Sequence, residues 1–159
     1  MKLVLVRHGR AGHRSAWKGD DRLRPLSRQG RAQAEGLVPM LSGFQPDRVI
    51  SSPFVRCVQT VEPLAATLGK KVEDAEELAE GNGHKAIELV RGLADDGGAF
   101  VLCSHGDIIP EVIDHLTQTD GMRLPDDAHC AKGSAWVLTN HDGRFVAAAY
   151  LDPPPSPSA

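Results

Sequence analysis

Three short, mostly apolar runs constrain this chain more than any other sequence feature, because each one stops abruptly at a cluster of polar residues. The runs cover residues 3–6, 48–51 and 100–103. Apolar runs of this length without alternation are typical of strands that are buried on both faces, as in parallel sheets. Three such strands in one chain predict a central sheet that is covered on both sides.

Helical patterns lie between these runs. Ser27 is predicted to cap a helix that extends to about residue 42, because apolar residues recur there at helical spacing. A second helix is predicted over residues 54–68, kinked or divided at Pro63. Further helices are predicted over about residues 84–93 and 107–117, and Asp107 is placed to cap the last of them.

The remaining segments complete the predicted fold. Residues 9–26 read as a polar loop, residues 71–73 as a short strand, and residues 134–139 and 145–150 as a β-hairpin. Since strands and helices alternate along most of the chain, we predict an α/β fold, a three-layer α/β/α sandwich with a mostly parallel central sheet. The sandwich is expected to span residues 1–152, followed by a mobile tail rich in Pro and Ser over residues 153–159.

Charge is distributed unevenly along the 159 residues. The formal net charge is −3, yet residues 1–31 contain nine basic and two acidic side chains. The overall acidic balance argues against a nucleic-acid polymer as partner, and no apolar run is long enough to cross a membrane. The three widely spaced cysteines favour reduced thiols and a cytoplasmic location rather than disulfides or a zinc site. None of them is followed six positions later by Arg, which excludes tyrosine-phosphatase chemistry.

Chemically useful side chains follow the three apolar runs. Arg7 and His8 follow the first run, Arg56 lies shortly after the second, and His105 follows the third. Because sites in open α/β sheets lie outside the carboxyl ends of the strands, we expect these side chains to meet at one edge. Arginine forks match phosphoryl oxygens and histidine can attack phosphorus, so the sequence predicts a phosphoryl pocket.

These residues also carry a resemblance to a known family. The Arg-His-Gly of residues 7–9, the Ser-Pro-x-x-Arg-x-x-Gln-Thr element of residues 52–60 and the Ser-His-Gly of residues 104–106 resemble the signature of the histidine phosphatase superfamily. The small size, together with the Arg-Pro-Leu-Ser of residues 24–27, is similar to the branch of SixA-type phosphohistidine phosphatases. The implied fold is the phosphoglycerate mutase-like one, over roughly residues 1–150.

A further likeness is to the phosphatase-like domain that follows the Nudix domain in mycobacterial MutT-type nucleotide hydrolases. The Nudix box itself does not occur in this sequence. The stretches that carry this likeness are residues 11–15, 18–21, 31–35, 109–110 and 132–136.

The resemblance implies a role for each matching residue. His8 would be the nucleophile that forms a phosphohistidine intermediate, Arg7 and Arg56 would clamp the phosphoryl oxygens, and His105 would assist the displacement. Glu80 is the candidate proton donor for the leaving group, with Glu77 as the second choice and a solvated acidic loop as the alternative. No metal ion and no other cofactor is implied.

Four further residues are predicted to contact substrate. Gly9, Arg10 and Gly106 adjoin the histidine motifs, and Lys18 lies in the basic loop after His8. The function implied is a metal-independent phosphatase that acts on phosphohistidine protein, phosphomonoesters or nucleotide-type substrates. Its partner would be one of these phosphorylated molecules, with no membrane involved. The alternatives are a non-catalytic domain that binds a phosphorylated ligand and a phosphoglycerate mutase-type phosphotransferase, although such mutases usually carry longer insertions.

Overall fold

The computed structural model describes residues 1–127 and 129–155. The strands of this part, in chain order, are β1 (Lys2–Arg7), β2 (Arg48–Ser51), β3 (Val72–Asp74), β4 (Ala99–Ser104), β5 (Ala135–His141) and β6 (Arg144–Leu151). The α-helices are α1 (Arg28–Leu41), α2 (Val55–Thr67), α3 (Gly83–Ala94) and α4 (Ile108–Asp120). The strands form one sheet in the order β3-β2-β4-β1-β5-β6, in which β1 to β4 are parallel and β5 and β6 are antiparallel.

Strand β1 shows how the sheet is covered on both faces. Its side chains alternate between two hydrophobic clusters, with Leu3 and Leu5 packed among residues of α3 and α4. Val4 and Val6 point the other way and pack among residues of α1 and α2. Because β1 pairs with β4 on one side and β5 on the other, its central residues 3–6 are buried all round. The predicted three-layer α/β/α sandwich with a mostly parallel sheet is confirmed.

Helices α1 and α2 cover one face of the sheet. Ser27 caps α1 as predicted, since its side chain accepts a hydrogen bond from the N–H of Gly30. Helix α2 runs from Val55 to Thr67 with Pro63 inside it, so of the two predicted alternatives the division does not occur, and the kink stays a prediction. The apolar face of α2, which includes Val61 and Leu64, is fully buried against the sheet, and this packing offsets the cost of an interior proline.

The last described residues lie against α1. Pro154 is buried, and a Cβ atom added to Gly36 would collide with its ring. Residues 156–159 of the predicted mobile tail lie outside the described residues, and the domain boundary at residue 152 stays a prediction. Among the helices of residues 1–127 and 129–155, none is long and apolar enough to cross a membrane.

Candidate active site

The site lies at the carboxyl ends of the parallel strands. In the β1–β4 pair Arg7 is opposite Ser104, so the residues that follow them, His8 and His105, leave the sheet side by side. Their ring centroids are 5.5 Å apart. Strand β2 ends next to β4 and leads into α2, whose first turn carries Arg56. The topology therefore brings together the four side chains that the sequence placed at this edge.

His8 is held in one defined tautomer. Its Nδ1–H donates to the carbonyl oxygen of Gly9 at 2.7 Å, which leaves Nε2 as the unprotonated nitrogen. Burial is the main cause that lowers the pKa of His8 to about 3. The positive charges of neighbouring Arg56 and Arg7 lower the pKa further, and the hydrogen bond to Gly9 opposes the shift only in part. A neutral imidazole with a free Nε2 is the form that can attack phosphorus.

The loop that carries His8 is fastened to α2. The N–H of Gly9 donates to Oγ1 of Thr60 at 3.0 Å, and that hydroxyl donates to the carbonyl of Arg56 at 2.7 Å. The next side chain back, Gln59, accepts from the N–H of Leu26 at 2.9 Å. The Gln-Thr pair of the predicted motif therefore anchors the loop between β1 and α1 to α2 near both of its ends, at Gly9 and at Leu26.

Arg56 is fully buried and held by two carboxylates. Its Nη1 donates to the carbonyl of Asp21 at 2.9 Å, and its Nη2 donates to Oδ2 of Asp21 at 3.0 Å and to Oε1 of Glu80 at 2.8 Å. Burial alone would raise the pKa of Asp21, but hydrogen bonds from Arg24 and Arg56 and their charges lower it overall. Asp21 is a site residue that the sequence analysis missed.

Arg7 lies flat against Gly106. A Cβ atom at Gly106 would lie 2.6 Å from Cζ of Arg7, so a glycine is needed for this close approach. The Nη1 of Arg7 donates to the carbonyl of Cys130. The Nε atoms of Arg7 and Arg56 are buried without a hydrogen-bond partner among the described residues. Buried donors are nearly always paired in folded proteins, and an anionic oxygen is the partner that two guanidinium groups would take.

His105 is buried between α2 and the sheet. Its Nε2 lies 2.8 Å from Oγ of Ser52 and 3.5 Å from Sγ of Cys57, and its Nδ1 lies 3.5 Å from Oε1 of Glu80. The ring of Phe54 packs edge-on against the imidazole of His105, with the two ring centroids 4.6 Å apart. These contacts hold the imidazole beside His8 and explain why a serine and an aromatic residue follow β2.

Glu80 contacts more than His105. Its Oε1 also accepts from Nη2 of Arg14 at 2.9 Å, in addition to the bond from Arg56. Asp107 occupies the N-cap position of α4 as predicted, but its side chain forms no capping hydrogen bond; its carboxylate instead accepts from the N–H of Gly81 at 3.0 Å. This bond ties the segment that follows Glu80 to the start of α4, because the turn at Gly81 brings its N–H to face that helix.

An open cavity of about 560 Å³ joins these groups. Gly106 lines it, and Gly9 lies behind His8, packed against Gln33. Arg10 and Lys18 are not among its lining residues; Arg10 faces an adjoining cavity and Lys18 is exposed. The residues that line the site are Arg7, His8, Gly12, His13, Arg14, Arg24, Arg56, Glu80, Gly106, Asp107 and Lys132.

Two of the lining cations could have been suspected from the sequence. Arg24 lies in the basic first segment, and it is buried because its Nη1 donates to the carbonyl oxygens of Ala11 and Gly12. Lys132 lies in a stretch that carries the resemblance noted above. Arg24 lies in the loop between β1 and α1 and Lys132 in the loop between α4 and β5, and the folding of these two loops onto the cavity has no signal in the sequence.

Comparison with known proteins identifies the family. The model of the histidine phosphatase superfamily (branch 1) matches residues 3–86, which include β1, β2 and α2 with His8 and Arg56. The chain belongs to the histidine phosphatase superfamily. The chain is 42% identical over 156 residues to the 8-oxo-(d)GTP phosphatase of Mycolicibacterium smegmatis, and the match covers 96% of this chain but 48% of that protein. The chain thus spans about half the length of that relative.

Other similar proteins are nearer to this chain in length. The chain is 28% identical over 129 residues to the phosphohistidine phosphatase SixA homolog of Haemophilus influenzae, covering 73% of this chain and 77% of that one. Among solved structures, the histidine phosphatase SixA complexed with tungstate superposes with a TM-score of 0.77 at 22% identity, covering 96% and 97% of the two chains. A mycobacterial glucosyl-3-phosphoglycerate phosphatase in complex with VO3 superposes with a TM-score of 0.74 at 19% identity, covering 94% and 96%.

These comparisons confirm the fold predicted from the sequence. The fold is the phosphoglycerate mutase-like one, since both solved structures superpose over nearly their whole length. The family match, and the similar proteins that are themselves named phosphatases, agree with the family resemblance found in the sequence.

Proposed function

We propose that this histidine phosphatase hydrolyses phosphorylated substrates through a phosphohistidine intermediate on His8 and requires no metal ion. The observation that carries the proposal is the state of His8: a backbone carbonyl fixes its tautomer, and burial lowers its pKa to about 3. Its Nε2 is therefore free to attack at neutral pH. Arg7 and Arg56 supply the positive charge that a metal ion would otherwise bring to the phosphoryl oxygens.

The reaction has two displacement steps. In the first, Nε2 of His8 forms a bond to phosphorus while the bond to the leaving group breaks, and its electron pair departs with the leaving atom. In the second, water attacks the phosphohistidine, the N–P bond breaks, and His8 returns to its neutral form as phosphate is released. Arg7, Arg56 and His105 are proposed to stabilise the charge that spreads over the oxygens in both steps.

The surroundings of Glu80 bear on the leaving group. Its Oε1 accepts hydrogen bonds from Arg56 and Arg14, so this oxygen acts as a hydrogen-bond acceptor in the site. A leaving group that departs without a proton suits this arrangement better than an alkoxide, which needs a general acid. Phosphohistidine and phosphoanhydrides meet that condition, and the names of the two curated relatives support one class each.

Substituting Glu80→Gln tests this reasoning. We expect hydrolysis of both p-nitrophenyl phosphate and glycerol 2-phosphate to fall by similar factors, each less than about tenfold, because loss of a general acid would cost about 10²-fold or more. Steady-state rates on the two substrates provide the measurement. A loss of that larger size confined to the alkyl phosphate would instead show that Glu80 donates the proton.

The nucleophile itself is tested by His8→Ala. We expect wild-type protein to hydrolyse p-nitrophenyl phosphate in the presence of EDTA and to carry acid-labile phosphate on His8 after rapid quenching. The variant should lose both, with a fall in rate of at least about 10³-fold. The exposed His84 offers a matched control, since His84→Ala should leave turnover unchanged.

Two outcomes would contradict the proposal. Activity that survives His8→Ala would remove the phosphohistidine mechanism. Wild-type protein that binds phosphate without turning over any substrate would instead support the non-catalytic, phosphate-binding alternative. A cytoplasmic location and a phosphorylated small molecule or phosphohistidine protein as partner remain predictions from the sequence.

A further inference from the structure

A second cavity adjoins the one that holds His8. It also measures about 560 Å³, and the two cavities share Gly12, His13 and Lys132 in their walls. Arg10, which the sequence predicted as a substrate contact, lies in this second cavity and not in the first. A molecule whose phosphoryl group faces His8 could therefore extend past Lys132 into a second space of equal size.

The second cavity is positively charged without compensation. Arg10 and Lys132 line it together with His13, and no Asp or Glu is among its lining residues within the described part of the chain. Burial and the charges of surrounding arginines, Arg7 first, lower the pKa of Lys132. Neither Arg10 nor Lys132 forms an ion pair with another described residue, and the guanidinium of Arg10 reaches only the amide of Gln29, at 3.5 Å.

Six of the twelve arginines form ion pairs with carboxylates within the described part of the chain. Arg48 pairs with Glu73 and Arg91 with Asp120 through short bidentate contacts, although these pairs lie at the surface or close to it. The chain is acidic overall, so carboxylates are not scarce. Cations left unpaired beside a catalytic cavity are the arrangement that attracts an anionic ligand.

Hydrogen bonds formed by Gln33 of α1 and by Ser27, which precedes α1, hold the backbone segments that line the second cavity. Oε1 of Gln33 accepts from the N–H of Arg10 at 2.9 Å, and its Nε2 donates to the carbonyl of Lys132 at 3.0 Å. The N–H and the hydroxyl of Ser27 both donate to the carbonyl of Arg10, at 2.8 and 3.1 Å. Gly30 allows this approach, because a Cβ atom there would collide with the same carbonyl. The backbones that carry the two cations are thus held in a set relation.

We propose that the second cavity binds a second phosphate group of the substrate, through the side chains of Arg10 and Lys132. The inference rests on the proposed function, since it assumes that the first phosphoryl group is transferred to His8. It narrows the substrate class to small molecules that carry two phosphate groups, such as a phosphoanhydride or a bisphosphate. Phosphohistidine on a protein fits less well, because its imidazole leaving group carries no second anion.

Binding of two non-hydrolysable probes tests the subsite without turnover. Methylphosphonate has one anionic group and methylenediphosphonate has two, and calorimetric titration gives the dissociation constant of each. We expect wild-type protein to bind the diphosphonate at least about tenfold more tightly, because hydrogen bonds to charged groups contribute that much or more. Arg10→Gln should remove most of this preference, and Lys132→Gln should weaken the binding of both probes.

A matched control removes a neighbouring charge. Arg28 is exposed at the start of α1 and lines neither cavity, so Arg28→Gln should keep the preference. Circular dichroism melting curves confirm that each variant is folded. Equal affinity of the wild type for the two probes, or an unchanged preference in Arg10→Gln, would overturn the subsite.

Failure of the subsite can be told apart from failure of the proposed function. Phosphorylation of His8 by p-nitrophenyl phosphate is measured in a separate experiment and needs only the first cavity. Protein that forms phosphohistidine without preferring the diphosphonate loses the subsite and keeps the mechanism. Protein that prefers the diphosphonate but never phosphorylates His8 loses the mechanism on which the inference rests.

Discussion

The reactivity of His8 is created by its surroundings. An ordinary histidine titrates near pH 6.5, whereas burial and the neighbouring cations keep this ring neutral down to about pH 3. The carbonyl of its own neighbour, Gly9, then selects which nitrogen is protonated. A short Arg-His-Gly motif thus provides both the nucleophile and the acceptor that orients it.

Protonation of His8 can be followed directly by NMR. Because the folded state disfavours the charged ring, we expect its imidazole resonances to show no titration between about pH 5 and pH 8. The Nδ1–H tautomer should be present over the whole range. His8→Asn identifies the resonances by their disappearance. A protonation midpoint near 6.5 would contradict the burial that the structure assigns to this ring.

Gly106 is expected to matter through the space it leaves for Arg7. A methyl group at this position would push the guanidinium out of place, since its Cβ would lie 2.6 Å from Cζ of Arg7. We expect Gly106→Ala to lower kcat/KM for p-nitrophenyl phosphate by about 10²-fold, as a displacement of about 1 Å does in other active sites.

Gly92→Ala is the matched control for that substitution. Gly92 is an exposed residue of α3 with nothing within 4 Å of an added Cβ, so alanine should leave activity unchanged. It should also raise the free energy of unfolding by up to about 1 kcal/mol. Equal activities of Gly106→Ala and Gly92→Ala would show that the contact with Arg7 is not needed for catalysis.

The site residues whose positions are set by the end of a strand could be predicted from the sequence. Those whose positions depend on how a loop folds could not. Arg7 ends β1, and His8 and His105 directly follow the parallel strands β1 and β4, so the strand pattern alone predicts that they meet. Asp21 reaches Arg56 only because a loop of nearly twenty residues folds back over the cavity. No local pattern specifies that path, and it also explains why Lys18 lies away from the site.

At the scale of elements, helix α2 links Arg56, which is proposed to bind the phosphoryl oxygens, to the nucleophile His8. The helix carries Arg56 in its first turn and Thr60 one turn later, and the hydroxyl of Thr60 accepts from the N–H of Gly9 beside His8. Helical spacing therefore turns the four-residue interval between Arg and Thr into a contact between the two halves of the site. The sequence motif reflects this geometry, although the partner of Thr60 is visible only in the fold.

Thr60→Val tests that link with little change in volume. The substitution leaves the buried N–H of Gly9 without an acceptor, which should lower the free energy of unfolding by about 1–3 kcal/mol. Turnover should fall as well, because the His8 loop loses its attachment to α2. Thr67→Val, at the exposed end of the same helix, should change neither by a comparable amount. Denaturant unfolding and p-nitrophenyl phosphate turnover are the measurements, and equal effects of the two variants would contradict the link.

At the scale of the whole molecule, folding gathers five arginine and lysine side chains around one cavity, against the two carboxylates of Glu80 and Asp107. The basic first segment supplies Arg7, Arg14 and Arg24 to the catalytic cavity, and the rest of the chain adds Arg56 and Lys132. The lowered pKa of Lys132 means that the unfolded chain holds this proton more tightly than the folded one does. The charged side chain therefore costs folding free energy at neutral pH, below both pKa values.

Binding of an anion in the cavity should offset this unfavourable contribution to the free energy of folding. Inorganic phosphate at about 100 times its dissociation constant should stabilise the fold by about 2.7 kcal/mol, which raises Tm by roughly 5–10 °C for a chain of this size. Lys132→Gln should melt at a higher temperature than the wild type without phosphate and gain less when phosphate is added. Lys70→Gln, an exposed charge beyond the end of α2, should respond to phosphate as the wild type does. Calorimetric melting at matched ionic strength decides the matter, because a rise no greater than chloride produces would mean that the gathered charges do not form an anion site.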